Sequence, residues 1–355
     1  MKFDTLIVGG GLAGLTCGIR LQKNGVKCAI ISTGQSALHF SSGSFDLLNE
    51  LADGTKVDNP LAAAGRVGAN HPYAKLDGKF AYYVREAKQL FLDCGIEVNG
   101  DAERNHLRIT PMGTLKPTWL TFSDFTQLSS PRDIAGKKVL VVNIAGFLDF
   151  NTKFVADSFE KCGAECRISS INLPELERLR ISPTEMRSTN IARVLENDKT
   201  LETLIRELAG KVSGFDSVAL PAVFGLSSAA PVRKLKEALD IPVWLIPTMP
   251  PSVPGIRAQQ QLRRSFEALG GVYMLGDTVV KATSKAIECR RYIPSIMEIS
   301  RLWRKTSCLL PAAISAMDWW RGRTVLSNRF LAVMWILRRA VTVGMTNRSS
   351  TNRII

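Results

Sequence analysis

The sequence predicts an α/β fold built on a parallel sheet at the N-terminus, with a second α/β segment inserted downstream. Three observations carry this. An apolar strand runs into a glycine-rich turn and then a helix within residues 3–24. Apolar, strand-like runs alternate with helix-like segments from residue 137 to residue 250. The chain is also long enough, at 355 residues with 45% hydrophobic side chains, for one large or two ordinary domains with real cores.

Taken in order, residues 3–8 (FDTLIV) read as a short buried strand. Residues 12–24 (LAGLTCGIRLQKN) carry apolar side chains at helical spacing, with Gly25 as the stop. Residues 26–31 (VKCAII) form the second strand. A Ser/Gly-rich loop, HFSSGSFDLL, spans residues 39–48, and residues 51–75 read as loop, broken by Gly54, Pro60, Gly65 and Pro72. A helix is expected over 79–94 and extended structure with turns over 107–121. The second α/β stretch begins with KKVLVVNIAG, followed by the helix TKFVADSFEKCG and the strand CRISSINLP. Residues 184–210 read as mainly helical, then come FDSVALPAVFG, a helix near 231–239, and IPVWLIPTMP. Such alternation favours a parallel sheet.

The glycine turn is the strongest motif. Gly9, Gly11 and Gly14 fit GxGxxG. The first glycine permits the tight turn, the second lets backbone approach a phosphate, and the third lets helix pack on sheet. The helix N-terminus offers free N–H groups and a partial positive charge to the anion. GxGxxG alone is weak, but strand before and helix after are the context that supports it. A dinucleotide site usually adds an acidic residue at the end of the second strand, on the adenosine ribose. Residues 30–35 (IISTGQ) have none. A standard grip on NAD or FAD is therefore less secure: either Ser32 or Thr33 offers a weaker hydrogen bond to the ribose, or the cofactor lacks the adenosine half, as FMN does, with FAD as the alternative.

Several function classes lose support. The net charge of +14 suggests nucleic acid, but it is uneven. Residues 284–355 hold 13 of the 46 basic and 3 of the 32 acidic residues, leaving residues 1–283 at only +4. No nucleic-acid partner is expected. The seven cysteines are scattered without CxxC spacing, which suits free thiols in a reducing compartment and argues against zinc or iron–sulfur centres. No secretory leader and no apolar run of about 18 residues is seen, so no spanning helix is expected.

Four segments together resemble a family. They are FDTLIVGGGLAGLTCGIRLQKNG, GQSALHFSSGSFDLL, TPMGTLKPTWL (residues 110–120) and PTMPPSVPGIRAQQQLRRSF (residues 247–266). They are similar to the B subunit of the anaerobic glycerol-3-phosphate dehydrogenase, from residue 1 to about residue 283. The resemblance implies a Rossmann-like flavoprotein fold of the FAD/NAD(P)-binding type with an inserted α/β domain. It implies a flavin, usually FMN, in a complex that oxidises glycerol 3-phosphate to dihydroxyacetone phosphate. Electrons would pass to a quinone pool in anaerobic respiration and glycerol catabolism. Implied partners are the flavoprotein A subunit and the membrane-associated iron–sulfur C subunit, which would place the chain in the cytoplasm, peripheral at the inner face of the membrane. A stand-alone flavin oxidoreductase and a cofactor-free structural subunit remain the alternatives.

Expected boundaries are residues 1–75 for the first part of the flavin domain, 76–240 for the insert, 241–283 for the return, and 284–355 for an aberrant tail. Candidate cofactor contacts are Gly9, Gly11, Gly14, Ser41, Ser42 and Gly43, with Ser44 and His39 beside them. Small hydroxyls there could bond a ring carbonyl or phosphate; a Ser/Gly turn with capping roles is the bland reading. His39 as a base is the weaker reading, and the catalytic base is not identified. Arg257 and Arg263, with Arg264, are candidates for the substrate phosphate, since guanidinium forks suit a dianion. The alternative is a solvated helix face.

The tail, residues 284–355, holds four of the six tryptophans and no clear amphipathic order. It reads as out of frame. If each codon starts at the third base of the old one, Met317-Asp318-Trp319-Trp320 forces Gly-Leu-Val. Pro311 to Arg321 can then encode SGYFSNGLVA, and the stretch from Ile296 can encode HGDIPLMAK, both resembling the family's continuation.

Overall fold

The computed structural model describes residues 2–76, 78–182, 184–285, 288–294 and 307–309. Most of the tail expected to be aberrant thus lies outside the described residues. Contacts divide the chain into two compact units. The first gathers described residues of Met1–Ala37, Leu61–Ile96 and Gln259–Ile355; the second gathers Leu38–Pro60 and Glu97–Ala258. This grouping differs from the linear boundaries. Leu61–Ile96 joins the glycine-turn unit, while the Ser/Gly loop joins the other.

The first unit is built on a parallel sheet in the order Val272–Leu275, Cys28–Ser32, Thr5–Val8, Ser307–Leu309. The strands TLIV and CAIIS are apolar apart from Thr5 and Ser32 and almost wholly buried, because both faces are covered, as a parallel sheet requires. On one face Phe3, Leu6, Ala29 and Ile31 pack with Val272, Met274 and Val279. The Leu12–Lys23 helix crosses between the first two strands, and a Cβ on its Gly18 would press into the Phe266 ring. Its polar face meets the Phe80–Asp93 helix through Arg20–Glu86 at 2.6 Å and Lys23–Asp93 at 2.5 Å. These exposed pairs set orientation more than stability.

The second unit has a four-stranded parallel sheet, ordered Val243–Ile246, Ser217–Pro221, Lys138–Ile144, Glu165–Ile171. Helices Thr152–Lys161, Ser188–Leu195, Asp198–Ala209 and Ala230–Glu237 connect successive strands. Asn151 caps the first, accepting from Phe154 N–H at 3.2 Å, and Asn197 caps the third. The Glu165–Ile171 strand is half open because it lies at the sheet edge. In the same unit, Ser44–Phe45, Leu120–Phe122 and Val98–Asn99 form a small antiparallel sheet, and His106–Ile109 pairs with Leu115–Thr118 as a hairpin.

A long helix, Val253–Ala268, follows the proline-rich turn and carries the candidate arginines. Its first six residues belong to the second unit and the remainder to the first.

Candidate functional site

The glycine turn has the geometry its residues require. Gly9 sits at φ 107°, a conformation that disfavours any side chain, and its N–H donates to the Ile31 carbonyl at 2.8 Å. That bond ties the turn to the end of the second strand. Gly14 packs so closely that a Cβ would overlap the Gly9 carbonyl oxygen. Gly11 is the N-cap residue of the Leu12–Lys23 helix, with extended backbone and no side chain capping the helix start. A Cβ on Gly11 would meet only the Ser36 Cβ, at 3.6 Å. The first turn has no side-chain cap, the arrangement in which backbone N–H groups can meet an anion.

Gly10 is a third constrained glycine, which pattern reading passes over. A Cβ there would overlap the phenol oxygen of Tyr273 and lie 2.8 Å from the Ser32 Cβ. Tyr273 donates its hydroxyl to the Gly10 carbonyl at 3.2 Å, and the Arg263 guanidinium stacks over its ring at 4.7 Å. Arg263 also donates from Nε to Glu267 at 2.9 Å. At the end of the second strand, Ser32 Oγ donates to the Gly34 carbonyl at 2.9 Å and the Ser32 carbonyl accepts from Gly276 N–H at 2.8 Å. Ser36 Oγ donates to Gln259 Oε1 at 2.7 Å. Asp277, 8% exposed, accepts from Thr278 N–H at 3.0 Å.

Ser41, Ser42 and Gly43 lie in the second unit. Ser41 Oγ accepts from Gly43 N–H at 3.1 Å, Ser42 and Ser44 hydroxyls lie 3.4 Å apart, and the Gly43 carbonyl accepts from Phe122 N–H at 3.0 Å. Gly43 has φ 80°, and a Cβ there would enter the Phe125 ring. The His39 carbonyl accepts from Ser252 N–H at 2.7 Å, and Gly255 packs against the Leu38 carbonyl without room for a Cβ. The loop is thus clamped between the strand end at Phe122 and the start of the Val253–Ala268 helix.

The structure brings this loop together with Arg257. Arg257 donates to the Gly225 carbonyl and to the carboxylate of Asp124, the neighbour of Phe125. The pair is buried, with side chains 7% and 2% exposed. Lys236 Nζ donates to the Asp124 carbonyl at 2.7 Å; burial pushes its pKa down, while Asp124 pulls the other way. A phosphate at Arg257 would share its guanidinium with Asp124, and one at Arg263 would share it with Glu267. Arg264 is exposed on the same helix. In the second unit too, burial and then the Arg108 charge push His106 down to about 4, so the ring is neutral at pH 7. Burial also lowers His71, in the first unit.

Tyr273, Gly10, Gly255 and Asp124 were not legible as site residues. Their roles depend on partners more than 100 residues away in sequence, apart from the glycine run that contains Gly10. Among the described residues no cluster of His, Cys, Asp and Glu suits a metal, and no helix is long and apolar enough to cross a membrane.

Comparison with known proteins adds the following. The FAD binding domain family matches residues 4–298. The B subunit of anaerobic glycerol-3-phosphate dehydrogenase from Yersinia enterocolitica is 45% identical over 287 residues, covering 79% of this chain and 68% of that protein. The protein of the same name from Pectobacterium carotovorum is 42% identical over 292 residues, covering 81% and 70%. Among solved structures, glycine oxidase from Bacillus cereus is similar at 14% identity and a TM-score of 0.30, over 83% of this chain and 53% of that one. At that score the likeness carries no weight.

Proposed function

The chain belongs to the family of anaerobic glycerol-3-phosphate dehydrogenase B subunits, flavin-dependent oxidoreductase components, and on that premise we propose that it holds a flavin on the Gly9–Gly14 turn. The observation that carries the reading is the uncapped helix start behind a glycine with φ above zero, where backbone N–H groups and the helix dipole meet an anion. The flavin is FMN on this reading, because residues 30–35 provide no carboxylate for an adenosine ribose. Gly9, Gly11 and Gly14 shape the phosphate seat.

The reaction is the two-electron oxidation of glycerol 3-phosphate to dihydroxyacetone phosphate. The bound flavin supplies hydride acceptance at N5. The substrate's hydroxyl proton leaves to a base, and the electrons leave through partner proteins toward a quinone. Ser41, Ser42 and Gly43 are proposed as a second contact loop, since small hydroxyls suit a ring carbonyl or phosphate. Arg257 and Arg263 are the two arginines proposed for the substrate phosphate. The assembly comprises the A subunit, which is a second flavoprotein, and the C subunit, an iron–sulfur protein at the inner face of the cytoplasmic membrane. The iron–sulfur partner would carry the electrons onward from the flavin.

An absorbance spectrum of the purified full chain, with mass spectrometry of the released cofactor, tests this. Flavin bands are expected. A colourless protein that takes up no added flavin would instead support a cofactor-free structural role. Co-purification with the A and C subunits, with glycerol 3-phosphate oxidation confined to the assembled complex, tests the partnership; flavin reduction by the isolated chain would favour a stand-alone enzyme.

A further inference from the structure

Resting on the flavin reading above, we propose that Tyr273 is the residue that sets cofactor choice, by filling with its phenol the space an adenosine ribose would take. In dinucleotide sites that ribose lies between the glycine turn and the end of the second strand. Here the same space is bounded by Gly10 and Ser32. Tyr273 Cζ lies 2.6 Å from where a Gly10 Cβ would stand, and the Ser32 Cβ 2.8 Å from it. The missing Gly10 side chain is therefore replaced by a side chain from another strand.

The sheet register explains how Tyr273 reaches this position. The Val272–Leu275 strand runs parallel to Cys28–Ser32, with Tyr273 opposite Ile30 and Leu275 opposite Ser32. Alternation puts Tyr273 on the same face as Ser32. Val272 and Met274 point the other way, into the core with Ala29 and Ile31. Two contacts hold the ring: its hydroxyl donates to the Gly10 carbonyl at 3.2 Å, and Arg263 stacks on its face at 4.7 Å. The phosphate seat itself stays open, since the Gly11 Cβ position has only Ser36 nearby. A mononucleotide needs that seat alone. An adenosine half would have to displace the phenol, break its hydrogen bond, and then find no carboxylate at residues 30–35. Asp277 is the acidic residue just past this strand; its Oδ1 is engaged by Thr278 N–H.

The test is separate titration of the full-length apoprotein with FMN and with FAD, read by flavin fluorescence, for wild type, Tyr273→Phe, Tyr273→Val and Asp277→Asn. Valine is chosen because it suits a strand. Wild type is expected to prefer FMN by about tenfold or more. Tyr273→Phe, which keeps the ring, and Asp277→Asn should retain that preference. Tyr273→Val should narrow it by about tenfold through tighter FAD binding. Equal affinity of wild type for both flavins overturns the proposal without any variant, as does a folded Tyr273→Val with an unchanged ratio, or loss of FAD binding in Asp277→Asn. These results leave flavin binding standing. Failure of wild type to bind either flavin removes the flavin reading and this inference together.

Discussion

Arg257 and Asp124, 133 residues apart in sequence, form a buried ion pair between the first turns of the Val253–Ala268 helix and the segment after the Leu120–Phe122 strand. Asp124 Oδ1 has no hydrogen-bond partner, so the arginine is the main compensation for that carboxylate. Removing one member of a buried pair leaves an uncompensated charge, at a cost of about 3–5 kcal/mol. Arg257→Met is expected to lower the unfolding free energy, read from urea denaturation, by that amount, and Arg257→Met with Asp124→Asn to recover part of it. If Arg257 also holds the substrate phosphate, Arg257→Lys should raise KM for glycerol 3-phosphate in the assembled complex by more than its loss of stability explains.

The glycine turn separates two kinds of glycine. Gly14→Ala drives a methyl into the Gly9 carbonyl, so the helix must move off the sheet. Both the unfolding midpoint and flavin content should fall. Gly11→Ala meets no such obstacle and sits in extended backbone, so stability should change by only about 0.5 kcal/mol. Its methyl nevertheless enters the phosphate seat. Flavin affinity is expected to drop by about tenfold, and an unchanged affinity would remove Gly11 from the site.

Much of the first unit was legible because its information is local. TLIV and CAIIS are short, mainly apolar runs, and the turn between Val8 and Leu12 announces itself by three consecutive glycines. The three strands Lys138–Ile144, Ser217–Pro221 and Val243–Ile246 of the second sheet were legible for the same reason, while the edge strand Glu165–Ile171 is largely polar. What sequence could not show is long-range. The Val253–Ala268 helix opens on Val-Pro-Gly, which reads as a turn, although proline is well tolerated in a first helical turn. In sequence Arg257 reads as a phosphate clamp or as part of a solvated helix face, because nothing near it announces Asp124. Leu61–Ile96 sits with the glycine-turn unit through contacts such as Arg20–Glu86, which no periodicity encodes.

His106 makes stability depend on pH. Its folded pKa, about 4, lies below the ordinary 6.5, because the ring is half-buried and lies in the field of Arg108. The unfolded chain therefore binds a proton that the folded chain refuses between those values. Stability should be full above pH 6.5 and decline as pH falls toward 4. His71, lowered by burial, acts in the same direction. Urea midpoints measured across this range should show the decline, and His106→Gln should flatten it. An equal slope in the variant would assign the effect to other groups.

Cys17 and Cys28 are buried inside the first unit, at 2% and 0% exposure. Burial pushes both thiols up to about 12. Alkylation needs the thiolate and access to it. Neither residue should be labelled by iodoacetamide in the native protein at about pH 8, near the ordinary thiol pKa, and both should be labelled once urea unfolds it. Labelling of Cys28 in the native state, detected by peptide mass spectrometry, would show that this sheet opens locally.

The tail offers a prediction at the level of the gene. From residue 284 onward basic residues outnumber acidic ones 13 to 3, whereas the first 283 residues are nearly balanced. A composition break of that size has a simple origin if codons after about residue 284 are read in a shifted phase. The reading is constrained because tryptophan and methionine each have a single codon. Met317-Asp318-Trp319-Trp320 then leaves Gly-Leu-Val as the only translation of the frame that starts on each third base. That frame of the nucleotide sequence is expected to read HGDIPLMAK from Ile296 and SGYFSNGLVA from Pro311, with one base lost, or two gained, between codons 284 and 295. Stop codons in that frame, or resequencing that shows no shifted base against a close relative's gene, would sink the idea. Restoring the phase should also raise flavin retention by the purified chain, because the β-α-β unit of such folds is completed by a returning C-terminal segment.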